Sequence, residues 1–200
     1  MHVYGITGPS GSGKSLLCEY LSAHGIVHIN ADAVYHEMLV PPSTVVDAIV
    51  RQFGNGILAP DGGIDRRALS AIVFSSPDQL ELLNQTVLPL VLDEVRARLA
   101  RMERDGVQAV AIDAPTLIES GFDSECDTVV VILCSAEKRI ARIVERDGIS
   151  IERAKERILA QNPDEFYIAH ADAVLYNDGD SKAFLEQAQK VFSITNDTNI

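Results

Sequence analysis

Eight residues near the amino end, Gly8-Pro9-Ser10-Gly11-Ser12-Gly13-Lys14-Ser15, constrain this chain more than any other stretch. Glycines at 8, 11 and 13 allow backbone angles that side chains resist, so successive N–H groups can turn inward around a phosphate. The positive end of a following helix adds to the attraction. Lys14 brings a mobile charge suited to the β- and γ-phosphates, and the Ser15 hydroxyl is placed to take a position on Mg²⁺. Such a loop needs a strand before it and a helix after it. Val3-Tyr4-Gly5-Ile6-Thr7 reads as a buried strand, and Leu17, Tyr20, Leu21 and His24 recur at helical spacing. The flanks favour a nucleoside triphosphate site over a ligand-free glycine turn, with Gly8, Ser10, Gly11, Ser12, Gly13, Lys14 and Ser15 as its ligands.

Two hundred residues, 46% hydrophobic with a mean hydropathy of +0.08, suffice for one sizeable core and leave room for a small inserted lobe. The formal charge of -12 argues against a broad basic surface for nucleic acid, so an anionic ligand requires a local positive pocket. No basic region followed by an apolar stretch opens the chain, and no run approaches the ~20 apolar residues of a membrane span. The expectation is a cytoplasmic protein with a small-molecule substrate and neither nucleic acid nor membrane as partner; oligomeric state is not readable. Cys18, Cys126 and Cys134 cannot all pair, have no metal-ligand spacing, and read as buried free thiols.

Apolar runs alternate with helical patterns, which predicts an α/β fold with a five-stranded parallel sheet flanked by helices. The strands are expected at 2–7, 26–30, 107–112, 128–133 and 172–176. Between the second and third, residues 34–104 show helices and no strand. Val45, Val46, Ile49, Val50 and Phe53 mark one helix ended by Gly54, and Arg67 to Phe74 another. Ser76-Pro77 reads as the cap and first position of a third, and Pro89 as the start of a fourth carrying Leu92, Val95, Leu99 and Met102. The expected organisation is one domain with core segments 1–33, 105–137 and 170–193, a substrate lobe at 34–104 and a lid at 138–169. The polar end, Thr195 to Ile200, is expected to fray.

Ligands of open α/β sheets collect beyond the carboxyl ends of the strands, which singles out Asp32 and Asp113. Asp32 follows the second strand and reads either as a base accepting a proton from an attacking hydroxyl or as an ordinary helix cap. Asp113 ends Val110-Ala111-Ile112-Asp113, a pattern that holds Mg²⁺ or its water. Ala114-Pro115 follows where many hydrolytic loop proteins place a water-activating glutamate, and no Asn-Lys-x-Asp guanine-reading motif occurs. Both absences favour phosphoryl transfer over hydrolysis.

Residues 138–157 hold seven of the 17 basic residues against four acidic ones, a local balance of +3. Arg139, Arg142 and Arg146 share one helical face, broken at Asp147-Gly148 before a second helix near Ser150. This reads as a lid closing over the nucleotide, or as a solvated helix laced by ion pairs.

Taken together these residues resemble the dephospho-coenzyme A kinase family from about Val3 to Gly179. The resemblance rests on Gly5 to Gly8 leading into the loop, Ala31-Asp32-Ala33, Phe53-Gly54, Asp61-Gly62, Asp65-Arg66, Asp113-Ala114-Pro115 with Leu117, and Glu119-Ser120-Gly121. Arg142, Arg146-Asp147, Arg157-Ile158, Gln161, Ala171-Asp172, Asn177 and Gly179 continue it. It implies a phosphate-loop kinase core with a helical coenzyme lobe and a lid, and ATP-dependent phosphorylation of the ribose 3′-hydroxyl of dephospho-coenzyme A. On this chain it implies Asp32 as base, Lys14 and Ser15 on ATP and Mg²⁺, Arg142 and Asn177 at the nucleotide, and Arg66, Pro115, Leu117 and Glu119 on the acceptor side. Asn30, His36, Leu88 and Asp164 depart from the family pattern, where Asp, Arg, His and Arg are common. A kinase for another small acceptor, or a nucleotide-binding protein without turnover, are the alternatives.

Overall fold

Parallel strands need long crossovers, and here helices supply them. In a computed structural model, which describes residues 1–194, β1 (His2–Thr7) runs through the phosphate loop into α1 (Lys14–Ala23) and then β2 (Val27–Asn30). β3 (Ala109–Asp113), β4 (Thr128–Leu133) and β5 (Ala173–Tyr176) complete an all-parallel sheet of order β2-β3-β1-β4-β5. All five expected strands are present, each within two residues of its expected ends. The stretch from Thr195 to Ile200, expected to fray, lies outside the described residues.

The central strands β1, β3 and β4 are almost continuously apolar because helices cover both faces. Ile6, Ala111, Val130, Ile132 and Leu175 of the sheet pack with Leu17, Cys18 and Leu21 of α1 and with Phe184, Ala188 and Phe192 of and beyond α9 (Ser181–Val191). On β1 itself, a Cβ at Gly5 would stand 2.7 Å from the Leu117 side chain and 2.8 Å from the Cys126 sulfur, so the glycine makes room for them. The register pairs Ile6 with Asp113 across β1 and β3, so the acid lies at the strand end from which the loop departs.

The chain divides into two compact units, Met1–Ile29 with Val107 onward, and Asn30–Gly106. The expected lobe at 34–104 lies inside the second, which also takes in Asn30 to Ala33, because α2 (Ala31–Glu37) begins there and packs on α5 (Pro77–Arg104). α3 (Thr44–Phe53) and α4 (Arg66–Val73) pack on the same helix. Ser43, Asp65 and Ser76 cap these helices by accepting from backbone N–H groups, and Gly54 ends α3 at φ 82°.

One expectation fails here. Pro89 does not start a helix: it lies inside the 28-residue α5. Proline removes one N–H from the ladder and costs about 3 kcal/mol in a helix interior, so local propensity favours a break. Val87, Val91 and Val95 nevertheless form one buried stripe at i, i+4 and i+8 that passes straight across Pro89, and that packing holds the two halves in one helix.

In the first unit, α6 (Ala136–Asp147) ends at Gly148 in the left-handed conformation, α7 (Ile151–Leu159) is capped by Ser150, and α8 (Asp164–Ile168) follows. No helix among the described residues is long and apolar enough to cross a membrane.

Candidate active site

Gly8, Gly11 and Gly13 all take positive φ, at 137°, 80° and 108°. A Cβ at Gly8 would meet the Ile132 carbonyl at 2.3 Å, and one at Gly13 would meet Asn177 Nδ2 at 2.1 Å. Conformation and space therefore both demand glycine. Gly13 also occupies the N-cap of α1, where no side chain accepts from the helix and no acid stands in the first turn. An α-helix start without a side-chain cap and without acidic neighbours is suited to an anion.

The carbonyls of this loop point the other way, toward protein donors. Arg139 Nε donates to the Ser10 carbonyl at 3.1 Å, and Arg142 Nη1 donates to the carbonyls of Gly11 at 3.0 Å and Ser12 at 3.1 Å. Asn177 Nδ2 also donates to the Ser12 carbonyl, at 2.8 Å. Since the peptide plane fixes C=O and N–H on opposite sides, drawing these carbonyls outward favours inward N–H groups at Gly11 and Gly13, while the Ser12 N–H donates to the Pro9 carbonyl at 3.2 Å. Lys14 Nζ spans the loop to the Gly8 carbonyl at 2.8 Å. Ser12 is fully buried and its Oγ has no hydrogen-bond partner among the described residues, so its side chain is aimed into the protein.

The three arginines expected on one face of α6 do share it. Arg146 Nη2 reaches Ser10 Oγ at 3.4 Å and also bonds Asp147, which Arg157 grips from α7; together these arginines pull the Asp147 carboxyl down to about 2. Arg139 is buried, at 6% exposure, which for this residue sets aside the alternative of a solvated helix face laced by ion pairs. Its Nη2 donates to Gln161 Oε1 at 2.7 Å, and the same oxygen accepts from the Ser10 backbone N–H at 3.2 Å. Burial lowers the Arg139 pKa, with Asp164 at 4.0 Å opposing the shift. Arg139 and Gln161 thus tie the loop to the segment after α7. The sequence signal for Arg139 was its position three residues before Arg142 on the same face.

Asp113 ends β3 buried, and its charge together with that of Lys14 acts on the Cys18 thiol of α1. Ser15 lies three residues before Cys18, hence on the same helical face, and is exposed. These positions fit a hard divalent cation held between a strand-end carboxylate and a helix-start hydroxyl. Burial, with Asp113, pushes the Cys18 thiol up to about 12. The Cys126 thiol is likewise pushed to about 12 by burial, with Asp123 next among the causes. All three cysteines are free as expected, with Cys126 only partly buried.

After β3, Pro115 and Glu119 are exposed while Leu117 has no exposed surface. Pro115 accepts at its carbonyl from Thr7 Oγ1 at 3.5 Å, and Glu119 accepts from Asn162 Nδ2 at 2.8 Å. Leu117 can serve an acceptor only indirectly, by packing beneath Gly5 and holding the turn that presents Pro115 and Glu119.

In the second unit, Asp32 is exposed in the first turn of α2. It is not the cap. Asn30 is, its Oδ1 accepting from the Ala33 N–H at 2.8 Å, which removes the helix-cap reading of Asp32. Arg66 opens α4, exposed, with its charge acting on Tyr35 of α2 against the upward push of burial on that phenol.

A parallel sheet whose first strand runs through a glycine-rich, carbonyl-out loop into an uncapped helix defines a phosphate-loop kinase fold. Comparison with known proteins narrows the class. Residues 2–183 match the family model for dephospho-CoA kinase. A dephospho-CoA kinase of Symbiobacterium thermophilum is 39% identical over 179 residues, covering 90% of this chain and 75% of that protein. The solved dephospho-CoA kinase from Campylobacter jejuni superposes with a TM-score of 0.71 at 25% identity, covering 96% of this chain and 95% of that one. A shikimate kinase from Acinetobacter baumannii shares the fold alone, with a TM-score of 0.55 at 17% identity over 100% of this chain and 96% of that one. The chain belongs to the dephospho-CoA kinase family.

Proposed function

We propose that this protein transfers the γ-phosphoryl group of ATP to the ribose 3′-hydroxyl of dephospho-coenzyme A in a Mg²⁺-dependent reaction. The observation that carries the phosphoryl-transfer part is the loop whose carbonyls are held outward by Arg139, Arg142 and Asn177 while α1 starts uncapped. Family membership supports the acceptor.

In this reading the inward N–H groups of the loop hold the β- and γ-phosphates, and Lys14 exchanges its bond to Gly8 for the charge that grows on the transferring group. Arg142 and Asn177 serve the nucleotide by holding the loop's shape. Ser15 and Asp113 would hold Mg²⁺, which when bound neutralises phosphate charge and keeps the phosphates aligned. Asp32 accepts the proton of the attacking hydroxyl, a role its exposed carboxylate is free to play because Asn30 does the capping. Arg66 offers its guanidinium to an acceptor phosphate, and Pro115 and Glu119 line the acceptor side.

An assay with ATP, Mg²⁺ and dephospho-coenzyme A, read by chromatography of the coenzyme A formed, tests the reading directly. Product should form with the wild type and be undetectable with Lys14→Ala at unchanged circular dichroism. Wild-type turnover in that variant, or no product from either protein, would overturn it.

A further inference from the structure

Cys18 of α1, His28 of β2 and Asp113 of β3 come from three separate elements, yet one ligand atom of each lies within 4.8 Å of the other two. We propose that this trio is a binding site for a zinc-class divalent transition ion, distinct in chemistry from the magnesium expected with ATP.

Two observations support it. Sulfur, imidazole nitrogen and carboxylate oxygen form a mixed donor set that suits Zn²⁺ or Co²⁺, whereas Mg²⁺ takes oxygen ligands almost alone. Independently, His28 Nε2 is shielded from solvent and has no hydrogen-bond partner among the described residues. A buried polar nitrogen left in that condition costs free energy that a ligand would recover. Ligand atoms around tetrahedral zinc stand roughly 3.5 Å apart, so the side chains need only close in slightly. Coordination displaces the Cys18 thiol proton to solvent, and a ring nitrogen of His28 donates its lone pair. Three protein ligands leave the fourth position to water.

Because Asp113 is also the carboxylate assigned above to Mg²⁺, an ion held here withdraws it from that duty. This consequence rests on the proposed function; the binding itself does not.

The test uses the full chain, stripped of metal and without nucleotide. Titration with Co²⁺ should give one bound ion per chain and a thiolate-to-cobalt charge-transfer band, displaced by Zn²⁺ in a chelator-competition assay. Cys18→Ser should abolish the band, and both Cys18→Ser and His28→Gln should weaken Zn²⁺ binding by at least about tenfold. Should Cys18→Ser fail to fold, His28→Gln decides alone. Absence of one-to-one binding, a band that survives Cys18→Ser, or Zn²⁺ affinity unchanged in His28→Gln would overturn the site whether or not the kinase reading holds.

Discussion

Asn30 and Asp32 stand two residues apart and have separable duties. Asn30 accepts from the Ala33 N–H and starts α2, so Asn30→Ala should cost about 1 kcal/mol of stability, measured by urea denaturation, through loss of the cap. Asp32 makes no such bond in the cap position, and its proposed service is to the acceptor hydroxyl. Asp32→Asn should therefore lower kcat by about 10²-fold or more, the scale of a general base, while ATP affinity stays within a few-fold. Steady-state kinetics with nucleotide titration separates the two. If Asp32→Asn loses stability and keeps kcat, the base assignment fails. The sequence alone left Asp32 between base and cap, because both Asn and Asp accept from N–H groups equally well and only the geometry shows which one does so.

Two helices illustrate how packing overrules local rules at the scale of an element. Pro89 interrupts the hydrogen-bond ladder of α5, and the valine stripe across it holds the helix together. Removing the interruption should help: Pro89→Ala is expected to raise stability by about 1–3 kcal/mol, seen as a higher urea midpoint with an unchanged slope. A lower midpoint would show that the helix depends on the proline ring. On α6, spacing puts Arg139 and Arg142 on one face, and only the family resemblance ranks Arg142 above Arg139, with truncation of Arg139 expected to have little effect. The structure reverses that expectation, since Arg139 is the more buried and holds Ser10 and Gln161 at once. Arg139→Ala strips a charged donor from these partners and should cost roughly 2–4 kcal/mol, while weakening ATP binding at least as much as Arg142→Ala does. Thermal unfolding and calorimetric titration of both variants check it; an Arg139→Ala protein of wild-type stability and affinity would return this arginine to the solvated surface.

For the whole molecule, the acceptor is the question of greatest reach. Dephospho-coenzyme A offers a diphosphate, an adenosine and a long pantetheine arm, and the second unit, Asn30–Gly106, is large enough to recognise several of these parts. Binding energy from the remote arm should be expressed at the reacting hydroxyl. Dephospho-coenzyme A should accordingly exceed AMP, adenosine and pantetheine-free fragments by about 10²-fold or more in kcat/KM, with the loss on truncation falling partly in kcat. A panel in which AMP matches it would leave a phosphate-loop kinase with a different acceptor. His36 and Leu88, which replace charged or polar residues common in the family, should make this discrimination only weakly sensitive to salt.

What the sequence determined by itself is what depends on short-range rules. The phosphate loop, the strand before it and helix after it, the five parallel strands, the Ser76-Pro77 helix start and the break at Gly148 are each set by backbone freedom, capping or periodicity within a few residues. Tertiary structure decided the rest, for the same reason in each case: the partners are distant in sequence and carry no mutual spacing. Asn177 holds Ser12 across 165 residues, Arg139 holds Ser10 across 129, and the valine stripe that carries α5 through Pro89 takes its strength from the helices packed on it. The meeting of Cys18, His28 and Asp113 is of this kind as well. Parallel strands lie side by side only through long crossovers, so residues at their ends are gathered by the sheet, and no pattern along the chain records which of them will meet.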